Sequence, residues 1–367
     1  MKIAFVNEGI YEYAIGAPDA AGGLERDQWF LARTLAAHGW NAVVGVMGFL
    51  KPGERKNVDG VEYVGLGQGQ ILLAWRKFLF AERPNWLFWE GAGHLLGPVF
   101  ELATFAGVRT IFHAAFDTDV HPRHALDRRR RWWPLYAWGL ARADKIFVQH
   151  RGQLSKLPPP WQKKASVLPK VCNGLGETVD VKAHMVRQKY VAWVAMLRQP
   201  KRPDVLVEIA RAAPNIAFVV CGGITHHRSP PGYGERIVRS LRALPNVEYR
   251  GRVSPREAAQ TIADAAVLLS TSDEEGFPNT FTQAWSSGTP VVSLKLDPDD
   301  IIEEMGLGAV SGSSEKAIAD INSLLNSPQE RERIAVRARR YIAEVHSEAA
   351  VISTFERALH GNGSLSN

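Results

Sequence analysis

The chain has 367 residues, 46% of them hydrophobic and 22% charged, which excludes a disordered or low-complexity protein. Lys and Arg number 44 against 38 acids, a formal net charge of +6; this mild excess suits phosphate-bearing or membrane-surface partners and falls short of a dedicated nucleic-acid binder. Only Cys172 and Cys221 are present, far apart, so a disulfide scaffold and a cysteine zinc site are excluded and a reducing cytoplasm is the expected compartment.

At roughly 100 to 200 residues per domain the length predicts two domains. The apolar run Ile3 to Val6 is too short for a signal-peptide core and is followed by Asn7 and Glu8; Met1 to Val6 reads as a first buried strand, with Lys2 to Val6 its clearest part. Further strands are expected over 42–46, 86–89, 110–113 and 145–149. A helix starting near Gly23 carries Leu24, Leu31 and Leu35 on one face and ends before Gly39. The apolar stretch 86–108 is broken by Glu90, His94 and Glu101 and is no membrane span. Gly65-Leu66-Gly67-Gln68-Gly69 lacks the dinucleotide spacing and reads as a turn. Pro158-Pro159-Pro160 reads as a rigid loop inside the first domain. After a polar, Gly-containing linker over 173–188, a second series of strands is expected over 190–195, 217–221, 247–249, 266–270 and 290–293. Ile352, Phe355 and Leu359 fall at helical spacing, so a helix over 346–360 is expected to return to the first domain, before a flexible tail over 361–367. The domains are thus 1–172 and 189–345.

Strands alternating with amphipathic helices predict an α/β chain of two Rossmann-like domains whose parallel sheets face each other across a central cleft. Such folds bind ligands in the loops at the carboxyl ends of their strands. Gly22-Gly23-Leu24-Glu25 opens a helix, where a ligand can approach the backbone and an anion can meet N–H groups. The most informative segment runs from Ser270 through Asp273-Glu274-Glu275-Gly276-Phe277-Pro278-Asn279 to Trp285, then Gly288-Thr289-Pro290-Val291-Val292. It predicts a strand, an acidic turn, a two-turn helix from Asn279 and a stop at Gly288. Glu275 then stands at the mouth of the cleft and Gln283 projects from the short helix, whose start could receive a diphosphate.

This segment resembles the signature of the family 4 retaining glycosyltransferases of GT-B fold: Glu275-Gly276-Phe277-Pro278 followed by Gly288-Thr289-Pro290-Val291-Val292. The resemblance extends to Gly22-Gly23-Leu24-Glu25, Lys201, Gly222-Gly223 and Asn246 through Val253. Lys201-Arg202-Pro203-Asp204 and the Gln283-Ala284-Trp285 ending are similar to a branch concerned with bacterial surface polysaccharides. The resemblance implies that a sugar moves from a nucleotide-diphosphate donor, of uridine or guanosine type, to a glycan or lipid-linked acceptor with retention of configuration and without a metal or other cofactor. It implies that Glu275 contacts the donor sugar, that Lys201 contacts the diphosphate and that His113 lies near the transferred sugar. Gly22 and Gly23 would admit donor phosphate and acceptor, the Gly222 turn would adjoin the donor, and the backbone at Val253 would border the base. Two positions depart from the pattern. Gln283 stands where the family has a ribose-binding carboxylate, and Met196 stands in place of an arginine whose charge Arg198 is expected to supply.

A leaving nucleotide diphosphate gathers negative charge, which Lys, Arg and helix N-termini stabilise. The acids Asp117, Asp119, Asp297, Asp299 and Asp300 read as solvated or capping, and the pairs His121/His124 and His226/His227 lack a third metal ligand. Arg128, Arg129, Arg130 and Arg131 beside Trp132 and Trp133 are candidates for peripheral docking on the inner face of the membrane; the competing reading is a basic solvated face with buried tryptophans. Alternatives from other classes are a non-catalytic nucleotide-sugar-binding scaffold, marked by Gln283 and Met196, and a nucleotide-sugar epimerase. No nucleic-acid partner is expected.

Overall fold

The computed structural model describes the chain except residues 8, 18–22, 68, 127–129, 173–180, 227 and 361–367 and the side chain of Arg130. It divides into two units. The first comprises Met1–Val171 and a returning segment from Glu348; the second is Cys172–Ser347.

The first unit is built on strands β1 (Lys2–Phe5), β2 (Asn41–Val46), β3 (Arg55–Val58), β4 (Val61–Gly65), β5 (Trp86–Glu90), β6 (Arg109–His113), β7 (Lys145–Val148) and β8 (Ala165–Val167). Their order in one sheet is β3-β4-β2-β1-β5-β6-β7-β8, parallel throughout except the β3–β4 hairpin. The central strands are apolar on both faces because helices cover both. On one face Ile3, Phe5, Val44, Phe88 and Ile111 pack with the helix Gly23–Ala37 and with Val351, Ile352, Phe355 and Leu359 of the C-terminal helix Glu348–His360. On the other, Ala4, Val43, Leu87, Phe112 and Ile146 pack with the helices Ile71–Glu82, Leu96–Phe105 and Trp133–Arg142. The helix Glu348–His360 therefore completes the core of the first unit, and the helix expected over 346–360 begins two residues later, His346 and Ser347 belonging to the second unit.

The second unit carries β9 (Tyr190–Val194), β10 (Ala217–Cys221), β11 (Val247–Gly251), β12 (Val267–Ser270), β13 (Val291–Ser293) and β14 (Gly308–Val310), in the order β11-β10-β9-β12-β13-β14 and all parallel. Both cysteines are buried and neither is in a disulfide. Of the stretch read as a polar linker, residues 173–180 lie outside the described ones, while Arg187 is buried and donates to the carbonyl of Ser287 and to Thr289 Oγ1 at 2.8 Å. That segment is thus tied into the second unit. Pro159–Gln162 forms one helical turn inside the first. The tail 361–367 lies outside the described residues.

Candidate donor site

Because all strands of the second unit run parallel, the loops after β9, β10, β11 and β12 gather at one edge of its sheet. The first two of these turns approach so closely that a Cβ on Gly222 would collide with the carbonyl oxygen of Ala195. The loop after β9 is stapled to the loop after β12. Buried Trp193 donates from Nε1 to Thr271 Oγ1 at 2.9 Å, Thr271 Oγ1 donates to the carbonyl of Lys201 at 2.8 Å, and the Asp273 N–H donates to the carbonyl of Pro200 at 3.0 Å. Arg202, in the left-handed region at φ 48°, locks the turn by pairing with Asp204 at 2.9 Å and Asp273 at 3.1 Å. With both backbones fixed, the Lys201 ammonium meets the Glu275 carboxylate in a largely shielded ion pair, and Ser272 Oγ donates to Glu275 Oε1 at 3.4 Å.

Beside this pair stand two more cations. Arg198 is largely buried, and burial followed by the neighbouring Arg228 pushes its pKa down, against the pull of Glu274; its Nε has no hydrogen-bond partner among the described residues. Arg228 pairs with Glu274 at 2.7 Å. A groove of about 380 Å³ runs along the outside of these loops, between Gln199, Asp204, Tyr233 and Glu274.

In the first unit, Glu90 and His113 end adjacent strands in register, and His113 Nδ1 lies 3.4 Å from Glu90 Oε1. Both side chains are buried, 7% and 5% exposed. Neither ring nitrogen of His113 has a hydrogen-bond partner among the described residues. Burial raises the pKa of Glu90, opposed by His113. Asp119, 2% exposed, accepts the N–H groups of Ala115 at 2.8 Å and Phe116 at 3.0 Å; burial nevertheless pushes its carboxyl up to about 7, with Glu90 adding to the rise. The pair Asp27–Lys170 at 2.8 Å is equally enclosed.

Residues 177–341, a little under half of the chain, match the model of the family described as glycosyl transferases group 1. The matched residues all lie in the second unit. An alpha-galactosylglucosyldiacylglycerol synthase of Streptococcus pneumoniae is 27% identical over 128 residues, 35% of this chain and 34% of that protein, so the match spans about a third of the relative. Among solved structures, sucrose-phosphate synthase of Thermosynechococcus elongatus superposes with a TM-score of 0.74 at 15% identity, covering 98% of this chain and 99% of that one. Anabaena HepE, determined with UDP, gives 0.74 at 15% identity over 98% and 100% of the two chains. The trehalose-6-phosphate synthase OtsA gives 0.73 at 11% identity over 98% and 99%. The fold is therefore that of the GT-B glycosyltransferases.

Within the matched residues, the signature positions divide by depth. Gly276, Phe277 and Pro278 are buried. The Phe277 ring packs edge-on to Trp285 at 6.2 Å and against His346 at 5.3 Å, so its side chain anchors the turn and only its backbone is left to face a ligand. Asn279 starts the helix Asn279–Ser287, which Gly288 closes at φ 76°. Gln283 is half-buried on that helix and Val253 half-buried at the turn after β11. Met196 lies on the same edge, its methyl close to Gly223. The structure brings together Lys201, Glu275, Arg198 and the Gly222 turn at this one edge. Gly22 lies outside the described residues, and exposed Gly23 is the first residue of the helix Gly23–Ala37.

Arg128 and Arg129 also lie outside the described residues. Arg130–Trp132 form a helical turn, and Trp132 is 40% exposed, so the reading in which it is buried is corrected; nearby Trp138 is 40% exposed as well. Arg131 lies over Trp132, and Trp133 is half-buried beneath Arg123. The loop acids act as caps and pairs: Asp297 accepts the N–H groups of Ile302 and Glu303, and Asp117 binds His150 at 2.8 Å. Sequence reasoning missed Glu90, Asp119 and Arg228. For Glu90 a signal existed, since a single acid closing the apolar run Trp86-Leu87-Phe88-Trp89 is costly at the end of a buried strand; Arg228 lies in a loop without a motif.

Proposed function

We propose that this chain is a glycosyltransferase that moves a sugar from a nucleotide-diphosphate donor to a glycan or lipid-linked acceptor, with retention of configuration, in bacterial surface-polysaccharide synthesis at the inner face of the membrane. The observation that carries the reading is the Lys201–Glu275 pair, fixed by two stapled loops at the carboxyl edge of a group 1 glycosyl transferase sheet. A uridine donor is favoured by likeness to HepE, solved with UDP-glucose, and a lipid acceptor by likeness to a diacylglycerol-lipid synthase.

As the bond from the anomeric carbon to the diphosphate oxygen breaks, negative charge grows on the diphosphate, and the ammonium of Lys201 with the guanidiniums of Arg198 and Arg228 stabilises it. Glu275 holds sugar hydroxyls through its acceptor oxygens. The acceptor hydroxyl attacks from the face the diphosphate leaves; its oxygen bonds to the anomeric carbon and its proton passes to the departing diphosphate. The cations make a metal unnecessary in this scheme. His113, backed by Glu90, is assigned to the transferred sugar.

Calorimetry with UDP, GDP and their sugars tests the reading. One nucleotide should bind, and Lys201→Ala should weaken it roughly tenfold to a hundredfold, as expected for a lost charge-assisted hydrogen bond. Glu275→Ala should leave nucleoside diphosphate binding nearly unchanged and remove the extra affinity of the sugar nucleotide. Turnover should survive EDTA, and the product's anomeric coupling constant should match the donor's. If no nucleotide binds, Gln283 and Met196 mark a scaffold and the proposal fails.

A further inference from the structure

We propose that the helix Ile71–Glu82 of the first unit is a docking surface for an anionic lipid bilayer. The proposal deepens the lipid-acceptor reading by naming the surface that would bring the enzyme to such an acceptor. A helix on a sheet ordinarily turns its apolar stripe inward and its polar residues outward. Here Trp75, Phe78 and Leu79 face the sheet, yet Leu72, Leu73 and Phe80 are exposed at 37%, 42% and 47%. With exposed Arg76 and Lys77 they occupy positions i, i+1, i+4, i+5 and i+8, a single outward stripe. Arg83, exposed at the C-cap, adds a third cation. The helix's one acid, Glu82, is turned inward and held by Lys2 and Arg55. The outward stripe thus carries leucine, phenylalanine, arginine and lysine and no acid.

That combination fits a bilayer interface, where apolar side chains enter the acyl boundary and cations meet anionic headgroups. A second copy of this chain fits poorly, because a self-complementary contact would oppose Arg76 and Lys77 to their own equivalents. An independent feature adjoins the stripe. An apolar pocket of about 180 Å³ opens beside the first turn of the helix, lined by Ile71, Trp75, Trp89 and Leu95 together with Val6 and Met47, the residues that follow β1 and β2. An apolar chain leaving a bilayer at this helix would meet that pocket directly.

Co-sedimentation with vesicles of phosphatidylcholine alone and of phosphatidylcholine with phosphatidylglycerol, without nucleotide, tests the proposal. The wild type should bind the anionic vesicles. Leu72→Ser with Leu73→Ser and Phe80→Ser should lower that partition at least about tenfold, and Arg76→Ser with Lys77→Ser should lower it roughly thirtyfold while leaving binding to the neutral vesicles unchanged. Thermal melting and nucleotide binding of the same samples should stay at wild-type values. Wild-type partition to neither vesicle, unchanged partition of the triple variant, or a self-association that the triple variant abolishes would each overturn it. Loss confined to Arg131→Ser with Trp132→Ser would overturn it in favour of that segment. Vesicle binding without any nucleotide binding would sustain the surface and refute the donor site, so the two failures are distinct.

Discussion

A Cβ at Gly222 would strike the carbonyl of Ala195 in the loop that leads to Arg198 and Lys201. Gly222→Ala must therefore push the two backbones away from each other at the site itself, and an overpacking cost of about 1 to 3 kcal/mol is expected from urea unfolding, together with weaker nucleotide binding. Asp119 is constrained by charge. Its carboxyl rises from an ordinary value of 3.8 to about 7 because it is buried and Glu90 is near, against the pull of the Phe116 and Ala115 N–H groups and of His113. A raised folded-state pKa gives stability that is complete below the unfolded value and lost as pH rises through the folded one. Denaturation midpoints should accordingly fall between pH 4 and pH 7, and Asp119→Asn should flatten that slope; parallel curves for the two proteins would show an ionised carboxylate throughout. Burial also raises Glu90, in the same direction, so Glu90→Gln should flatten the slope further. The same substitution keeps the shape beside His113 and removes the charge, and should shift the pH profile of kcat while leaving KM for the donor nearly unchanged.

Among the elements, the C-terminal helix gives the clearest test. Phe355 stacks on Phe147 at 5.4 Å and meets the edge of Trp40 at 5.7 Å, and Trp40 Nε1 donates to Glu356 at 2.9 Å. Phe355→Ala should cost about 3 to 5 kcal/mol, read as a lower melting transition of the first unit and not of the second. The spacing of Ile352, Phe355 and Leu359 made this helix legible, as β-branched and aliphatic runs did for the central strands. The strands that escaped notice are short or marginal: β3 is Arg-Lys-Asn-Val at an edge, β8 is Ala-Ser-Val, β14 is Gly-Ala-Val, and β4 ends at Gly65, the first of the glycines read as a turn. Edge strands lack the doubly buried apolar run that identifies an inner strand. At the site, Glu275 and Lys201 were legible through a motif. Their stapling by Trp193 and Thr271 was not, because hydrogen bonds between residues 78 positions apart leave no local pattern.

On the scale of the whole molecule, each unit has its own sheet and its own apolar cores. Calorimetry should therefore resolve two transitions. A nucleotide held at about 100 times its Kd should stabilise only the second, by about 2.7 kcal/mol, while Phe355→Ala lowers only the first. A shift of both by the nucleotide would mean that the units unfold together. The division also sets an order of events. The first unit is interrupted by the whole of Cys172–Ser347 and regains its last helix only from Glu348 onward. A nascent chain leaving the ribosome can complete the second unit while the first still lacks the helix that covers Phe5, Phe88 and Phe147. Until translation passes residue 360 that aromatic surface is covered only in part, by the helix Gly23–Ala37, so the half made first is finished last.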